Sequence, residues 1–280
     1  MNRREFLLGT AALCAVRGIA AEAAAADRTP GAIRIAHCGD PQFGFGTGGA
    51  GGKANAYDDD LARFERVIAS VNAYAPDLCY IAGDMTQEAS ALTRDWPRLL
   101  KMFKVPVVVA PGNHDMGNTL TKENVERFDA VFGYDYKSVK VGKWRFICGN
   151  SQYWRPTDEK ARAARYEEWL EAELAEAKRA GEPVILASHI PPMVAGISEP
   201  DTLENYPIAG RKERFRRYLD AGARFYLSGH THRMIARAYG GMMILNAETT
   251  CRNFDGLPFG YRRLEIFEDG NYTWNKENIA

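Results

Sequence analysis

Val105-Pro106-Val107-Val108-Val109-Ala110-Pro111-Gly112-Asn113-His114-Asp115 is an apolar run that stops abruptly at an amide, an imidazole and a carboxylate. A short β-branched run bounded by turn residues reads as a buried strand. The same pattern recurs four times. Ile33–Cys38 leads into Asp40-Pro41-Gln42, Leu78–Ala82 into Gly83-Asp84, Val184–Ser188 into His189, and Phe225–Ser228 into Gly229-His230-Thr231-His232. In an open α/β sheet, ligands gather just beyond the carboxyl ends of strands. Five strand ends thus converge on oxygen and nitrogen donors, the outline of a two-metal hydrolytic site.

Helical patterns separate these strands. Leu61, Phe64, Val67, Ile68 and Val71 form one apolar stripe within Asp60–Tyr74. Further helices are expected over Trp96–Phe103, Glu123–Phe132, Ala161–Ala180 (stopped by Gly181) and Arg211–Leu219 (ended by Gly222). Tyr136–Val141 and Lys143–Cys148 flank Gly142 as a hairpin. The tail adds strands at Met242–Asn246 and Tyr261–Glu268, with Asp269-Gly270 turning into Asn271–Trp274. No internal repeat or Pro/Ser-rich linker divides the chain, so residues 27–280 read as one α/β domain. Gly44-Phe45-Gly46-Thr47-Gly48-Gly49 matches a dinucleotide-binding string, but no helix opens on its last glycine, and Gly52-Lys53-Ala54 lacks the Ser or Thr of a P-loop. Residues 44–53 read instead as a mobile loop at the rim of the site.

Composition narrows the partners. The 280 residues carry 36 basic and 36 acidic side chains, with no block of like charge, which argues against nucleic acid. A 46 % apolar fraction supports a sizeable core, and no uninterrupted apolar run is long enough for stable membrane insertion. Asn2-Arg3-Arg4-Glu5-Phe6-Leu7-Leu8, the apolar stretch to Val16 and the alanine-rich exit to Ala26 resemble a twin-arginine export signal. That resemblance implies export of a folded protein by the twin-arginine machinery, and a periplasmic or secreted location. Leu13 before Cys14 is too large for a lipoprotein cleavage site. Cys38, Cys79, Cys148 and Cys251 are expected as buried thiols.

Asp84 is the natural bridge between two cations, because one carboxylate offers two oxygens. Ions about 3.5–4 Å apart clamp the attacking and leaving oxygens of an in-line displacement and acidify the water between them. Two divalent ions against two carboxylates leave a net positive charge that favours a phosphate dianion.

Taken together and in this order, Asp40-x-Gln42, Gly83-Asp84, Gly112-Asn113-His114-Asp115, His189 and Gly229-His230-x-His232 resemble the calcineurin-like metallophosphoesterases. The resemblance implies a four-layer α/β/β/α sandwich, a dinuclear metal centre and hydrolysis of phosphate esters through a metal-bridging hydroxide. It places Asp40, Gln42, Asp84 and His232 on one metal, and Asp84, Asn113, His189 and His230 on the other. His114 would contact the scissile phosphate and protonate the leaving oxygen, with Asp115 orienting its ring. Many members carry histidine where Gln42 stands. An amide oxygen is a harder ligand, which shifts the expected ions toward Mn or Fe, with Zn the borderline alternative. Asn150-Ser151-Gln152-Tyr153 and Gly229-His230-x-His232-Arg233 resemble the branch of calcineurin-like phosphoesterase domain-containing protein 1, which implies a serine/threonine protein phosphatase.

Other readings stand beside this one. A nucleotide phosphodiesterase or pyrophosphatase would use the same donors, and a non-catalytic homologue would keep the fold with fewer ions. His37 belongs to no motif and reads as packing within the first strand. Phe43, Tyr153 and Trp154 are candidates to line the substrate cleft. Arg211, Lys212 and Arg216 read as a solvated helix face.

Overall fold

The computed structural model describes residues 28–45, 56–205 and 208–279. The export signal and residues 46–53 of the expected rim loop lie outside the described residues. Along the chain run β1 (Ile33–Cys38), α1 (Ala56–Tyr74), β2 (Leu78–Ile81), α2 (Leu92–Leu100), β3 (Val107–Val109), α3 (Lys122–Phe132), β4 (Lys137–Val141) and β5 (Trp144–Cys148). They are followed by α4 (Lys160–Ala180), β6 (Val184–Ala187), α5 (Ile208–Asp220), β7 (Ala223–Ser228), β8 (Ile235–Tyr239), β9 (Met242–Asn246), β10 (Gly260–Ile266) and β11 (Tyr272–Asn278).

The strands form two sheets, in the orders β11-β10-β1-β2-β3 and β4-β5-β6-β7-β9-β8. β1, β2 and β3 run parallel in the first sheet and β5, β6, β7 and β9 in the second; β10 pairs antiparallel with β1, and antiparallel hairpins occupy three of the four edges. Strands covered on both faces must be apolar on both, which explains their unbroken hydrophobic runs. Alternate residues face opposite ways. Ile33, Ile35, Leu78, Tyr80 and Val108 therefore meet Phe146, Ile185, Phe225 and Leu245 between the sheets. On the outer faces, Ala36, Cys38, Cys79 and Ile81 share a core with Phe64, Val67, Ile68 and Val71 of α1. Ile147, Leu186 and Tyr226 share it with Tyr166, Leu170 and Leu174 of α4 and with Phe215 and Tyr218 of α5. Each such buried side chain contributes about 1.5–3 kcal/mol relative to exposure. The architecture is the four-layer α/β/β/α sandwich.

A polar seam joins the two sheets at the carboxyl ends of their strands. The ring of His37 is fully buried, stacks on Tyr80 and donates its Nε2–H to the carbonyl of Ser228 (3.0 Å). Burial and the nearby Arg262 hold its pKa well below the usual value, so the ring is neutral. Arg262, its partner across the β1–β10 ladder, donates to the carbonyl of Asn246 (3.1 Å). Ser228 Oγ donates to Asn246 Oδ1 (2.9 Å), and Asn246 Nδ2 donates to Thr231 Oγ1 (2.7 Å). This layer fixes the loop that carries His230 and His232.

Several sequence expectations need correction. The edge strand β8 escapes the hydrophobic pattern because Ala236, Arg237 and Ala238 are exposed. Helix α1 starts before Asp60. Helix α2 starts at Leu92, not Trp96, because a 3₁₀ turn at Ala89–Ala91 feeds into it, and it stops at Leu100. Phe43 is core: it is 1 % exposed and stacks on Trp96 at 5.6 Å. Tyr153 is also buried, its hydroxyl bound to Asp135, and Trp154 is tied to Glu167 and covered by the Arg214 guanidinium. Arg211 is fully buried and donates to the carbonyls of Ile197 and Glu199, whereas Lys212 and Arg216 are exposed as expected. The four described cysteines are buried free thiols. No helix among the described residues is long and apolar enough to cross a membrane.

The motif loops leave no space for added atoms. A Cβ on Gly112 would lie 2.0 Å from Asp84 Oδ1 and 2.2 Å from the Asp84 backbone nitrogen. Gly112→Ala should therefore cost at least about 1–3 kcal/mol, as overpacking does, and thermal unfolding should occur several degrees lower. An unchanged melting temperature would show that the two loops do not approach this closely.

Candidate metal centre

The donors sit where the two sheets meet. Asp40, Asp84 and Asn113 follow β1, β2 and β3 of one sheet, and His189, His230 and His232 follow β6 and β7 of the other. Asp40, Asp84 and His189 are almost wholly buried, at 0, 2 and 0 % exposure. The backbone bends sharply to present these groups. Asp84, His230, His232 and Gln42 all have positive φ (51°, 73°, 53° and 34°), a conformation that costs L residues energy and marks functional loops. Gly83, at φ 96°, lies so close to His189 that a Cβ would approach its ring to 2.5 Å.

Tautomers follow from the partners, because a carbonyl oxygen only accepts. His189 Nδ1–H donates to Ala82 (2.6 Å), His230 Nε2–H to Leu203 (2.6 Å) and His232 Nδ1–H to Arg252 (2.7 Å). His230 and His232 are thereby left with a lone pair on the other nitrogen, and so is His189 once its second proton is displaced. His189 Nε2 lies 3.0 Å from His230 Nδ1, 3.0 Å from Asn113 Oδ1 and 3.4 Å from Asp84 Oδ2. Asp84, His189 and His230 offer ligand atoms that all lie within 4.8 Å of one another. Acceptors that face each other repel unless a cation or a proton lies among them. The donor set therefore fits a metal ion, and carbonyl-anchored imidazoles are the usual arrangement for metal-binding histidines.

A second set lies alongside. Asp40 accepts the His230 backbone N–H on both oxygens (3.0 and 2.9 Å), and its Oδ1 is 3.9 Å from His232 Nε2. Gln42 is buried in the adjacent loop, but its amide is engaged elsewhere. Nε2 donates to Gln87 Oε1 (3.0 Å), and Oε1 lies 3.9 Å from the Cys251 thiol. The Gln42 side chain meets no other expected ligand among the described residues, although its backbone N–H donates to the Asp84 carbonyl (2.7 Å).

His114 is half-buried on the turn after Asn113, and its own N–H donates to Asp84 Oδ1 (2.9 Å). Its ring is oriented by a backbone carbonyl and not by Asp115. Nδ1–H donates to the carbonyl of Gln87 (2.9 Å), which leaves Nε2 without a protein partner among the described residues. Asp115 instead accepts the backbone N–H of Met85 and of Gly112 (2.8 Å each), tying the β2 and β3 loops together. The expected Asp115–His114 contact fails because neighbouring side chains in a turn of helical pitch point apart. Sequence reasoning missed Phe254, which is half-exposed and stacks on His232 at 4.8 Å; Phe45, from the loop expected at the rim, is tilted against both. No motif signals Phe254.

The electrostatics express one demand, for positive charge. Burial pushes Asp40 up to about 8, opposed by His189 and reinforced by Asp84. Burial also raises Asp84, but His189, His114 and His230 outweigh it and hold that carboxyl below the usual range. His189 is pulled down by burial and raised more strongly by Asp84 and Asp40, to about 9. Burial lowers His230 to about 3 and His232 to about 4, so both are neutral. Burial and Asp84 raise Asp115 to about 7.

At neutral pH, protons on His189 and Asp40 satisfy that demand, and a divalent ion must displace them. Mn²⁺ loading should therefore release protons, and affinity should rise as pH rises through the 8–9 range in which both groups titrate. Calorimetric titrations in buffers of different protonation enthalpy measure the release. No release at neutral pH would mean that these two groups do not meet the ion.

The calcineurin-like phosphoesterase family profile matches residues 33–234. The rat serine/threonine-protein phosphatase CPPED1 is 30 % identical over 230 residues, which cover 76 % of this chain and 74 % of that protein. A probable cyclic nucleotide phosphodiesterase of Vesicomyosocius okutanii is 23 % identical over 77 % of this chain and 88 % of its own length. A crystal structure of a dimetal phosphatase from Danio rerio superposes with a TM-score of 0.61 at 12 % identity, covering 88 % of this chain and 96 % of that one. The profile match takes in every expected ligand after β1, from Asp40 to His232, and with it this chain belongs to the calcineurin-like phosphoesterase family.

Proposed function

We propose that the protein is an exported phosphomonoesterase that uses two divalent ions, Mn or Fe in preference to Zn, and acts on phosphorylated proteins at serine or threonine. The observation that carries the reading is the convergence of His189, His230, Asp84 and Asn113 beside a half-exposed His114 whose Nε2 is available. Asp40, Asp84, Asn113, His189, His230 and His232 would hold the ions, and Gln42 would join them after turning its amide from Gln87. The ions, when bound, supply Lewis acidity and acidify a water.

The chain's own residues do the rest. As the ester P–O bond breaks, a water forms a new bond to phosphorus and gives up one proton to solvent. His114, held by Gln87 through Nδ1–H, would carry a second proton on Nε2 for the departing oxygen and regain one from solvent after turnover. Its backbone bond to Asp84 keeps that acid in register with the metal ligands. Protein-phosphatase specificity is supported by the 30 % identity to CPPED1. Export is supported by Arg3-Arg4, the apolar stretch and the alanine-rich exit.

The test is a substrate panel with Mn: p-nitrophenyl phosphate, bis-p-nitrophenyl phosphate, phosphoseryl and phosphothreonyl peptides, and ADP-ribose. Faster turnover of the monoesters and peptides is expected, and exclusive cleavage of the diester or ADP-ribose would replace this reading with a phosphodiesterase or pyrophosphatase. His114→Asn should retain metal content and KM while kcat falls about 10²–10⁴-fold, the range for a lost general acid. The loss should shrink for p-nitrophenyl phosphate, whose leaving group needs little protonation. An equal loss across poor and good leaving groups would assign His114 to phosphate positioning. For location, Arg3→Lys with Arg4→Lys should retain the protein in the cytoplasm, and an exported double variant would remove the twin-arginine route.

A further inference from the structure

Arg155 stands at the C-terminal end of a 3₁₀ turn, Ser151–Trp154, that follows β5. The turn is firmly built. Asn150 Oδ1 accepts the Gln152 N–H (3.0 Å), Tyr153 is anchored on Asp135, and Ser151 Oγ accepts the N–H of Ile190, the residue after His189 (3.1 Å). The Arg155 backbone is thus fixed relative to the metal centre.

Its side chain is half-buried, and no carboxylate lies within ion-pair distance of it among the described residues. Of the other arginines near the site, Arg63 pairs with Asp60, Arg214 with Glu167 and Arg233 with Glu204, and Arg252 lies over the rings of Phe45 and Phe254. The one hydrogen bond described for the Arg155 side chain is Nη2–H to the carbonyl of Leu203 (2.6 Å). That same oxygen accepts His230 Nε2–H (2.6 Å). Guanidinium and imidazole therefore sit two hydrogen-bond lengths apart, and the other nitrogen of that imidazole faces His189. Consistent with this proximity, the charge on Asp84 acts on Arg155, and Arg155 in turn acts on His230.

A half-buried guanidinium has given up part of its hydration, and here no buried carboxylate compensates it. It has five N–H donors in a planar fork, of which one is used. The complement of such a fork beside a cationic centre is a phosphoryl group with two or more free oxygens.

We propose that Arg155 grips the non-bridging oxygens of a dianionic phosphoryl group at this site and so selects monoesters over diesters. The proposal rests on the phosphomonoesterase reading and adds a residue that contacts substrate. A monoester offers three non-bridging oxygens and two charges. A diester offers two oxygens and one charge, so it gains less from the fork. The Leu203 carbonyl aligns the guanidinium with the ligand His230 through one shared acceptor.

The experiment compares Mn-loaded wild type with Arg155→Met and Arg155→Lys. Inorganic phosphate binding is measured by calorimetry, and p-nitrophenyl phosphate and bis-p-nitrophenyl phosphate are the substrates. Metal content and melting temperature establish that each variant is folded and loaded. Loss of charge-assisted hydrogen bonds should weaken phosphate binding about 10–100-fold in Arg155→Met. The monoester-to-diester ratio of kcat/KM should fall in parallel. Arg155→Lys keeps the charge without the fork and should recover binding only in part. Unchanged phosphate affinity in both variants overturns the assignment, whatever happens to the rates. If wild type cleaves neither ester, the proposed activity fails, while the phosphate titration still decides the role of Arg155.

Discussion

Two aspartates with almost no access to water, Asp40 and Asp84, set the terms for everything around them. A buried carboxylate is costly unless it is paired, and here the pairing groups come from the other sheet. The backbone N–H of His230 reaches both oxygens of Asp40, and the His189 ring reaches Asp84. The two sheets therefore cannot slide past each other without uncovering charge. Apolar packing between them supplies most of the burial but has no direction. The directional constraint comes from this seam and from His37 and Arg262 behind it, which donate to the carbonyls of Ser228 and Asn246.

The same seam stabilises backbone strain at the site. Positive φ at Asp84, His230 and His232 is unfavourable by roughly 1–3 kcal/mol per residue where nothing holds it. Each of these residues is held on both sides of the bend. Asp84 gives its carbonyl to the Gln42 N–H and its carboxylate to the His114 N–H. His230 is bound through its backbone N–H and both ring nitrogens, and His232 gives its carbonyl to Phe254 and a ring N–H to Arg252. Geometry stored in this way needs no reorganisation when charge develops on a substrate, which is the physical basis of electrostatic preorganisation.

What was legible in the sequence follows from how local each signal is. Strand ends carrying Asp40, Asp84, Asn113, His189, His230 and His232 are visible because apolar runs and their polar terminations are adjacent in the chain. The hairpin of β4 and β5 and the long helix α4 are visible for the same reason. β8 was missed because an exposed edge strand has little apolar pattern to display. Phe43 and Arg211 were misread because burial is set by partners far away in sequence, Trp96 for the first and the carbonyls of Ile197 and Glu199 for the second. The resemblance implies Asp115 as the orienting partner of His114, whereas the partner is a backbone carbonyl at Gln87, which no residue type can announce.

That last point extends to the whole site. His114, His189, His230 and His232 are each oriented by a main-chain carbonyl, from Gln87, Ala82, Leu203 and Arg252. A carbonyl is supplied by any residue, so the side chains of these anchoring segments are released from the task of holding the imidazoles. Three of the segments lie at the mouth of the site, where Leu203 is 78 % exposed and Phe254 follows two residues after Arg252. Substitution there changes what an incoming substrate meets while the ligand geometry behind it persists. Separating backbone that positions ligands from side chains that meet substrate lets one constellation serve different phosphate esters.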